Sequence, residues 1–461
     1  MRALLVPQVV TSELVAESEF GTYGQLIHLL AEYEPSFSYL WSLAKHADAP
    51  RVWSHAELFA ESSTSAFHQQ ACSVTGRLFE LFNRLTGVYP IDAVFTSRAG
   101  LVPSLMAGLA TLPSAPVPCV LVEPRVYGPG DVYAHNMLSE TDNAARSLGY
   151  ALALTVYWSE WEKREGLRSV QQWLSPAAYE RATERSRVIP LVVDVPPGAL
   201  NRRPREKKRL LFAGRLNPNK RYREVLDAYA KVYQSRCDVD VWIHGGTASF
   251  RKLPAPFNRW HRTSERLPLQ QWHELLSTAN VSAYASYDEG SCVTALELLA
   301  CGVVMALPCR PWVMKLFYPL KYPFQFGSFR ELPAMLDYLL DNEESCRVQL
   351  EPIRQLIRSR HNPEQWKAGW QTVFDEVKAL NAAGRIAPLR VFREEAQRLI
   401  SRDGSASFAT VLSASRVART RPQRKVAFSN YAAWLAVRDL DDHETAIPLL
   451  RMRHDDGSDE R

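Results

Sequence analysis

Short continuous runs of apolar residues alternate along this chain with stretches in which apolar positions recur every three or four residues. In the first half the runs at 3–6, 93–96, 118–122 and 153–156 predict buried strands, and the patterns at 25–33 and 77–85 predict helices between them. The second half repeats this logic, with strands expected near 210–213, 240–243, 281–285 and 303–307. Apolar strands joined by amphipathic helices predict parallel sheets covered on both faces, hence an α/β chain with two doubly wound units. Ligands in such folds sit beyond the C-terminal ends of the strands. In the second half those ends are Gly214, His244-Gly245-Gly246 and Tyr287-Asp288-Glu289.

Two strings occupy these ends. In LLFAGRLNPNKR at 210–221 the apolar run breaks at Gly214 into a loop carrying Arg215 and Lys220, with Pro218 stiffening the turn between them. Two cations five residues apart suit a diphosphate. In DEGSCVTALELLACGVVMALP at 288–308 a polar turn leads into a helix expected from about Cys292 to Ala300, which Gly302 stops. The helix start offers free N–H groups and a positive dipole end to the preceding turn, so an anion is favoured beside Gly290, Ser291, Cys292 and Val293. Glu297 lies about five residues into the helix, roughly 8 Å from its start at ~1.5 Å per residue. That separation matches a sugar, a diphosphate and a ribose folded over one helix end. Either motif alone is usually a solvated helix face or a surface loop; their order and their placement at strand ends point to a site.

Glu289 and Glu297 resemble the Glu-x7-Glu motif of retaining glycosyltransferases of the GT-B fold, and GRLNPNK at 214–220 is similar to the strand-loop of glycosyltransferase family 4. The resemblance covers about residues 1–380 and is strongest over 188–310. It implies two facing Rossmann-like domains: an acceptor domain over 1–195 and a nucleotide-sugar donor domain over 196–380, whose helix at 363–380 returns to the first domain. A basic helical extension follows over 381–461. The resemblance further implies that Arg215 and Lys220 hold the donor diphosphate, Glu289 contacts the donor sugar hydroxyls and Glu297 the ribose hydroxyls. Gly214, His244, Gly245, Gly290, Ser291, Cys292 and Val293 would line the same site. In VIPLVVD at 188–194, which resembles the crossing between domains, Leu191 and Val192 stand where the family has Asn and Gly.

The first half follows the family less closely. Its glycine loop is approximated by Phe20-Gly21-Thr22-Tyr23-Gly24, which makes Gly21, Tyr23 and Gly24 donor contacts. The strand PCVLVEP ends in Glu123 where the family often has a His near the reacting sugar; Glu123 or the downstream His135 is expected to take that place. A lone loop His is more often structural. ALALTVYWSEWEKREG at 151–166 resembles the family's strand ending in Ser before a basic-tipped helix.

Composition bounds the remaining choices. The chain has 461 residues, 46% hydrophobic and 23% charged, which is enough for two or three globular cores. No apolar stretch approaches the ~20 residues that span a bilayer, and the N-terminal run continues into acidic residues, as expected of a first strand and not a signal peptide. Seven scattered cysteines predict reduced thiols and a cytoplasmic protein. Asp238-Val239-Asp240 resembles the Asp-x-Asp of metal-dependent transferases, but it precedes a strand and is expected to cap a sheet edge in solvent. The expectation is therefore a nucleotide-sugar co-substrate with no metal and no other cofactor.

Charge bears on the acceptor. Lys and Arg against Asp and Glu give about −6 over 1–195, about +8 over 196–380, about +7 over 381–425 and about −4 over 426–461. An acidic acceptor domain without a basic amphipathic patch disfavours an anionic lipid acceptor. The arginines of 385–425, and the string at 251–266 that interleaves cations with Phe257 and Trp260, have the composition of a surface that grips a phosphate backbone and stacks bases. The leading expectation is a retaining transferase moving a hexose from UDP-glucose to a glycan, small molecule or protein. The alternative is a DNA glycosyltransferase acting on hydroxymethylated pyrimidines, as some bacteriophage GT-B enzymes do. A sugar-nucleotide binding protein without catalysis is a third reading. Oligomeric state is left open.

Overall fold

The computed structural model describes residues 3–6, 39–40, 92–96, 99, 102, 117–122, 146–193 apart from 148, and 206–382 apart from 215, 217–219, 246–256, 258–259, 264–266, 268 and 288. The first sheet is built from β1 (Ala3–Val6), β2 (Tyr39–Leu40), β3 (Ala93–Thr96), β4 (Cys119–Val122), β5 (Leu154–Tyr157) and β6 (Ser186–Val188). All its pairings are parallel, in the order β2-β1-β3-β4-β5-β6. The second contains β7 (Lys208–Ala213), β8 (Val239–His244), β9 (His261–Thr263), β10 (Val281–Ala283), β11 (Val304–Pro308) and β12 (Gln325–Phe326), again parallel, in the order β12-β11-β10-β7-β8-β9.

Strand order reverses in the second sheet between β7 and β10, which pair through Leu210 with Val281 and Leu211 with Ser282. Chains leaving two adjacent strands toward opposite faces open a crevice at that point, so the fold itself places a binding site after Ala213 and Ala283. The strands here are sealed: Leu210, Leu211, Ala213, Val281 and Ala283 are fully buried and Phe212 nearly so. Burying a side chain of the Leu or Phe class stabilises by roughly 1.5–3 kcal/mol, so the crevice stands on a rigid base.

Nine helices are described: α1 (Glu160–Gln171), α2 (Pro176–Glu184), α3 (Tyr222–Ser235), α4 (Leu269–Thr278), α5 (Val293–Ala300), α6 (Pro311–Leu316), α7 (Leu332–Asp341), α8 (Glu343–Arg360) and α9 (Pro363–Ala382). Gly302 ends α5 as expected. With φ +77° its N–H donates to Leu299 O at 2.9 Å and the Val303 N–H donates to Leu298 O at 2.9 Å, the paired bonds of a Schellman stop. α9 returns to the first sheet, burying Trp366, Trp370, Val373, Phe374 and Val377 against Phe95, Val120, Leu154 and Val156. Arg187 donates to Glu376 at 2.8 Å, and Asn381 donates to Asp92 O at 2.6 Å, fastening the same contact. Where the chain crosses back, Val193 N–H donates to His361 O at 2.9 Å and His361 Nδ1 is 2.8 Å from Leu191 O, which can only accept. Burial lowers the His361 pKa, so the ring is held neutral with its proton on Nδ1.

The Asp238-Val239-Asp240 string lies at the start of β8, where β7 pairs on one side and β9 reaches only residues 242–244 on the other; the Asp238 side chain is 44% exposed and paired in a fork with Arg236 at 2.8 and 2.9 Å, as a sheet edge in solvent requires. One expectation needs correction. The helix after Ser159 begins with Glu160 and Glu162 and not with cations, because its positive end favours carboxylates. The extension over 385–425 lies outside the described residues. No helix among the described residues is long and apolar enough to cross a membrane.

Candidate active site

Gly214 follows the end of β7, and its N–H donates to His244 O at 3.0 Å. A Cβ on Gly214 would stand 3.0 Å from the Tyr284 hydroxyl, and one on Gly245 would stand 2.7 Å from Gly214 O. The two glycines thus let the ends of β7, β8 and β10 close together at the floor of the crevice. Tyr284 continues β10, is buried, and donates its hydroxyl to Ala213 O across the switch point.

Lys220 spans the crevice. Its ammonium donates to Glu289, with each side chain only 14% exposed, and lies 5.5 Å from the centroid of the Tyr284 ring. The cation and carboxylate that sequence motifs place 69 residues apart are therefore direct partners. Enclosed in this way each charge is compensated, and a bound anion would find a cation already positioned.

The helices on either side begin alike. Arg221, at φ +47°, precedes α3, and Cys292, at φ +41°, precedes α5; among the described residues these are the two non-glycine positions with left-handed backbone. Neither helix start receives a side-chain cap. Left-handed residues with a Cβ cost on the order of 1–3 kcal/mol, and such strain gathers at ligand clamps. Cys292→Gly should accordingly raise the melting temperature by a few degrees while leaving the loop in place, as thermal unfolding will show. An unchanged or lowered value would mean that the thiol's burial outweighs the strain.

Glu297 projects from α5 and accepts from Trp272 Nε1 on α4 at 3.2 Å. Desolvation pushes its carboxyl up to about 7, against the weaker lowering effect of the indole bond. The Trp272 ring is 5.0 Å from that of His244, centroid to centroid, so the end of β8 closes this side of the crevice. Ser291 is buried, Gly290 part-buried, and Val293 packs against the core of the first domain.

Gly214, Lys220, His244, Gly245, Glu289, Gly290, Ser291, Cys292, Val293 and Glu297 thus gather around one switch point. Arg215, Gly21, Tyr23, Gly24, Glu123 and His135 lie outside the described residues. Phe257 and Trp260 differ from expectation: both are buried, 5.2 Å apart, with Trp260 edge-on to Tyr233. Rings committed to the core cannot stack on bases. Sequence reasoning missed Trp272, whose apolar body sits on a helix face while its N–H reaches a polar partner, a pattern typical of Trp and legible in LQQWHELLST. It also missed Tyr284 as the floor under Lys220.

Two parallel six-stranded sheets, the first of them met by the returning helix α9, define the GT-B fold. Solved structures agree. Sucrose-phosphate synthase from Thermosynechococcus elongatus superposes with a TM-score of 0.62 at 15% identity, over 82% of this chain and 99% of that one. The alpha,alpha-trehalose 6-phosphate synthase from Burkholderia multivorans gives 0.57 at 11%, over 84% and 99%. WaaG, a glycosyltransferase involved in lipopolysaccharide biosynthesis, gives 0.55 at 14%, over 80% and 98%. No curated protein sequence matches the chain. Residues 200–349, which contain every described element of the crevice, match the family of glycosyl transferases group 1. Fold and family match together support a glycosyltransferase.

Proposed function

We propose that this protein is a retaining glycosyltransferase that moves a hexose from a nucleotide sugar, UDP-glucose first, to an acceptor hydroxyl. The observation that carries the reading is the Lys220–Glu289 pair over the N-terminal end of α5, with Glu297 on the same helix. In this reading Lys220 and Arg215 hold the diphosphate, the amides of Gly290 and Ser291 add donors, Glu289 turns from Lys220 to the sugar hydroxyls, and Glu297 accepts from the ribose hydroxyls. The departing phosphate oxygen takes the acceptor proton on the same face of the sugar. The chain's contribution is then electrostatic: cations and amides fixed in advance around charge that grows on the leaving group, where one donor is worth ~10²–10³ in rate. With that charge met by side chains and backbone, no metal is needed.

The test is release of UDP from UDP-glucose by the purified protein against a panel of glycans, small alcohols, peptides and hydroxymethylated duplex DNA, with and without EDTA. Acceptor-dependent release, unchanged by EDTA and yielding an α-linked product from the α-linked donor, is expected. Release that EDTA abolishes, or a β-linked product, would contradict the mechanism.

A further inference from the structure

We infer that Glu162 is a positioning residue of the first domain that sets the donor loop of the second domain through Gly290. The inference rests on the reading that this loop holds the donor. Glu162 is fully buried in the first turn of α1. Its N–H donates to Ser159 Oγ at 3.1 Å and its Oε2 accepts from Trp158 N–H at 3.0 Å, a reciprocal cap that fixes the carboxylate. Oε1 points at the second domain: a Cβ on Gly290 would stand 1.7 Å from Oε1 and 2.8 Å from Cδ. Gly290 does not have positive φ, so it is the approach of Glu162, and not the backbone, that requires a glycine between Glu289 and Ser291.

Neighbouring contacts make this corner a seam. Trp161, one residue before Glu162, packs against the core of the second domain, while Val293, three residues after Gly290, packs against the core of the first. α6 of the second domain also lies against α1. The turn 158–162 and the loop 289–293 therefore interlock, with a rigid carboxylate as the stop against which Gly290 rests. Gly290 is bonded to Glu289 on one side and to the amides leading into α5 on the other, so its height sets both. Through this contact the first domain helps to shape a site whose described residues all lie in the second.

A double-mutant cycle on the full-length protein tests this, with Gly290→Ala, Glu162→Ala and both together. Melting temperature and the dissociation constant for UDP, with ADP and GDP as alternates, are measured for each. Gly290→Ala is expected to lower the melting temperature and weaken nucleotide binding at least tenfold in the wild-type background. In the Glu162→Ala background, where the methyl has room, it should cost less than threefold. An equal cost in both backgrounds overturns the contact. Coupling in melting temperature with no coupling in nucleotide affinity overturns the positioning role and leaves the donor reading standing. Failure of the wild type to bind any of the three nucleotides overturns the donor reading and this role with it, and is distinguished by coupling that persists in melting temperature alone.

Discussion

Lys220→Ala is expected to lower sugar transfer by ~10²-fold or more, the range typical of removing one preorganised donor from a developing oxyanion. Lys220 also compensates Glu289, and both side chains are largely enclosed. Deleting the lysine leaves an enclosed carboxylate without its cation, and breaking such a pair typically destabilises by up to about 3–5 kcal/mol. A fall in rate alone would then be ambiguous. Lys220→Met with Glu289→Gln removes both charges together, and it should recover most of the lost melting temperature without recovering transfer. Recovery of transfer by the double variant would show that the lysine serves the fold and not the chemistry.

Glu297→Gln is expected to act in opposite directions on stability and function. The folded carboxyl titrates near 7, above the ordinary value of 4.5 that it regains on unfolding. Between these values the folded chain binds the proton more tightly, so stability falls as pH rises from about 4.5 to about 7, and above 7 the full cost of the desolvated charge remains. Glutamine carries no such charge. The variant should therefore melt higher than wild type at pH 8 and near it at pH 5. Function runs the other way, since an ionised carboxylate is the stronger acceptor for ribose hydroxyls and the amide forfeits charge-assisted bonds. Donor affinity of the wild type should weaken about tenfold per unit below pH 7, whereas that of the variant should be weak and flat. Parallel pH profiles would remove Glu297 from the donor site.

Much of this was legible along the chain because parallel strands buried on both faces read as continuous apolar runs. β1, β3, β4 and β5 fall within a residue of the runs that predict them, and Gly302 stops α5 by the mechanism its position implies. Less legible was what depends on strand order. The pairing of Lys220 with Glu289 requires β7 and β10 to be neighbours, which spacing along the chain does not reveal. Phe257 and Trp260 stand among cations in the sequence, yet they turn inward because apolar rings gain more from burial than their neighbours' charge suggests. Glu162 reads as an ordinary Ser-x-x-Glu helix cap, and its contact with Gly290 comes from the meeting of the two domains, for which no local pattern exists.

Whether the crevice between β7 and β10 holds a nucleotide sugar is decided by calorimetric titration of the purified protein with UDP-glucose and UDP, with Lys220→Ala measured alongside. Saturable binding at one site per chain, abolished by Lys220→Ala, is expected. Binding that survives the substitution unchanged, or a wild type that binds no nucleoside diphosphate or nucleotide sugar of any base, would contradict it.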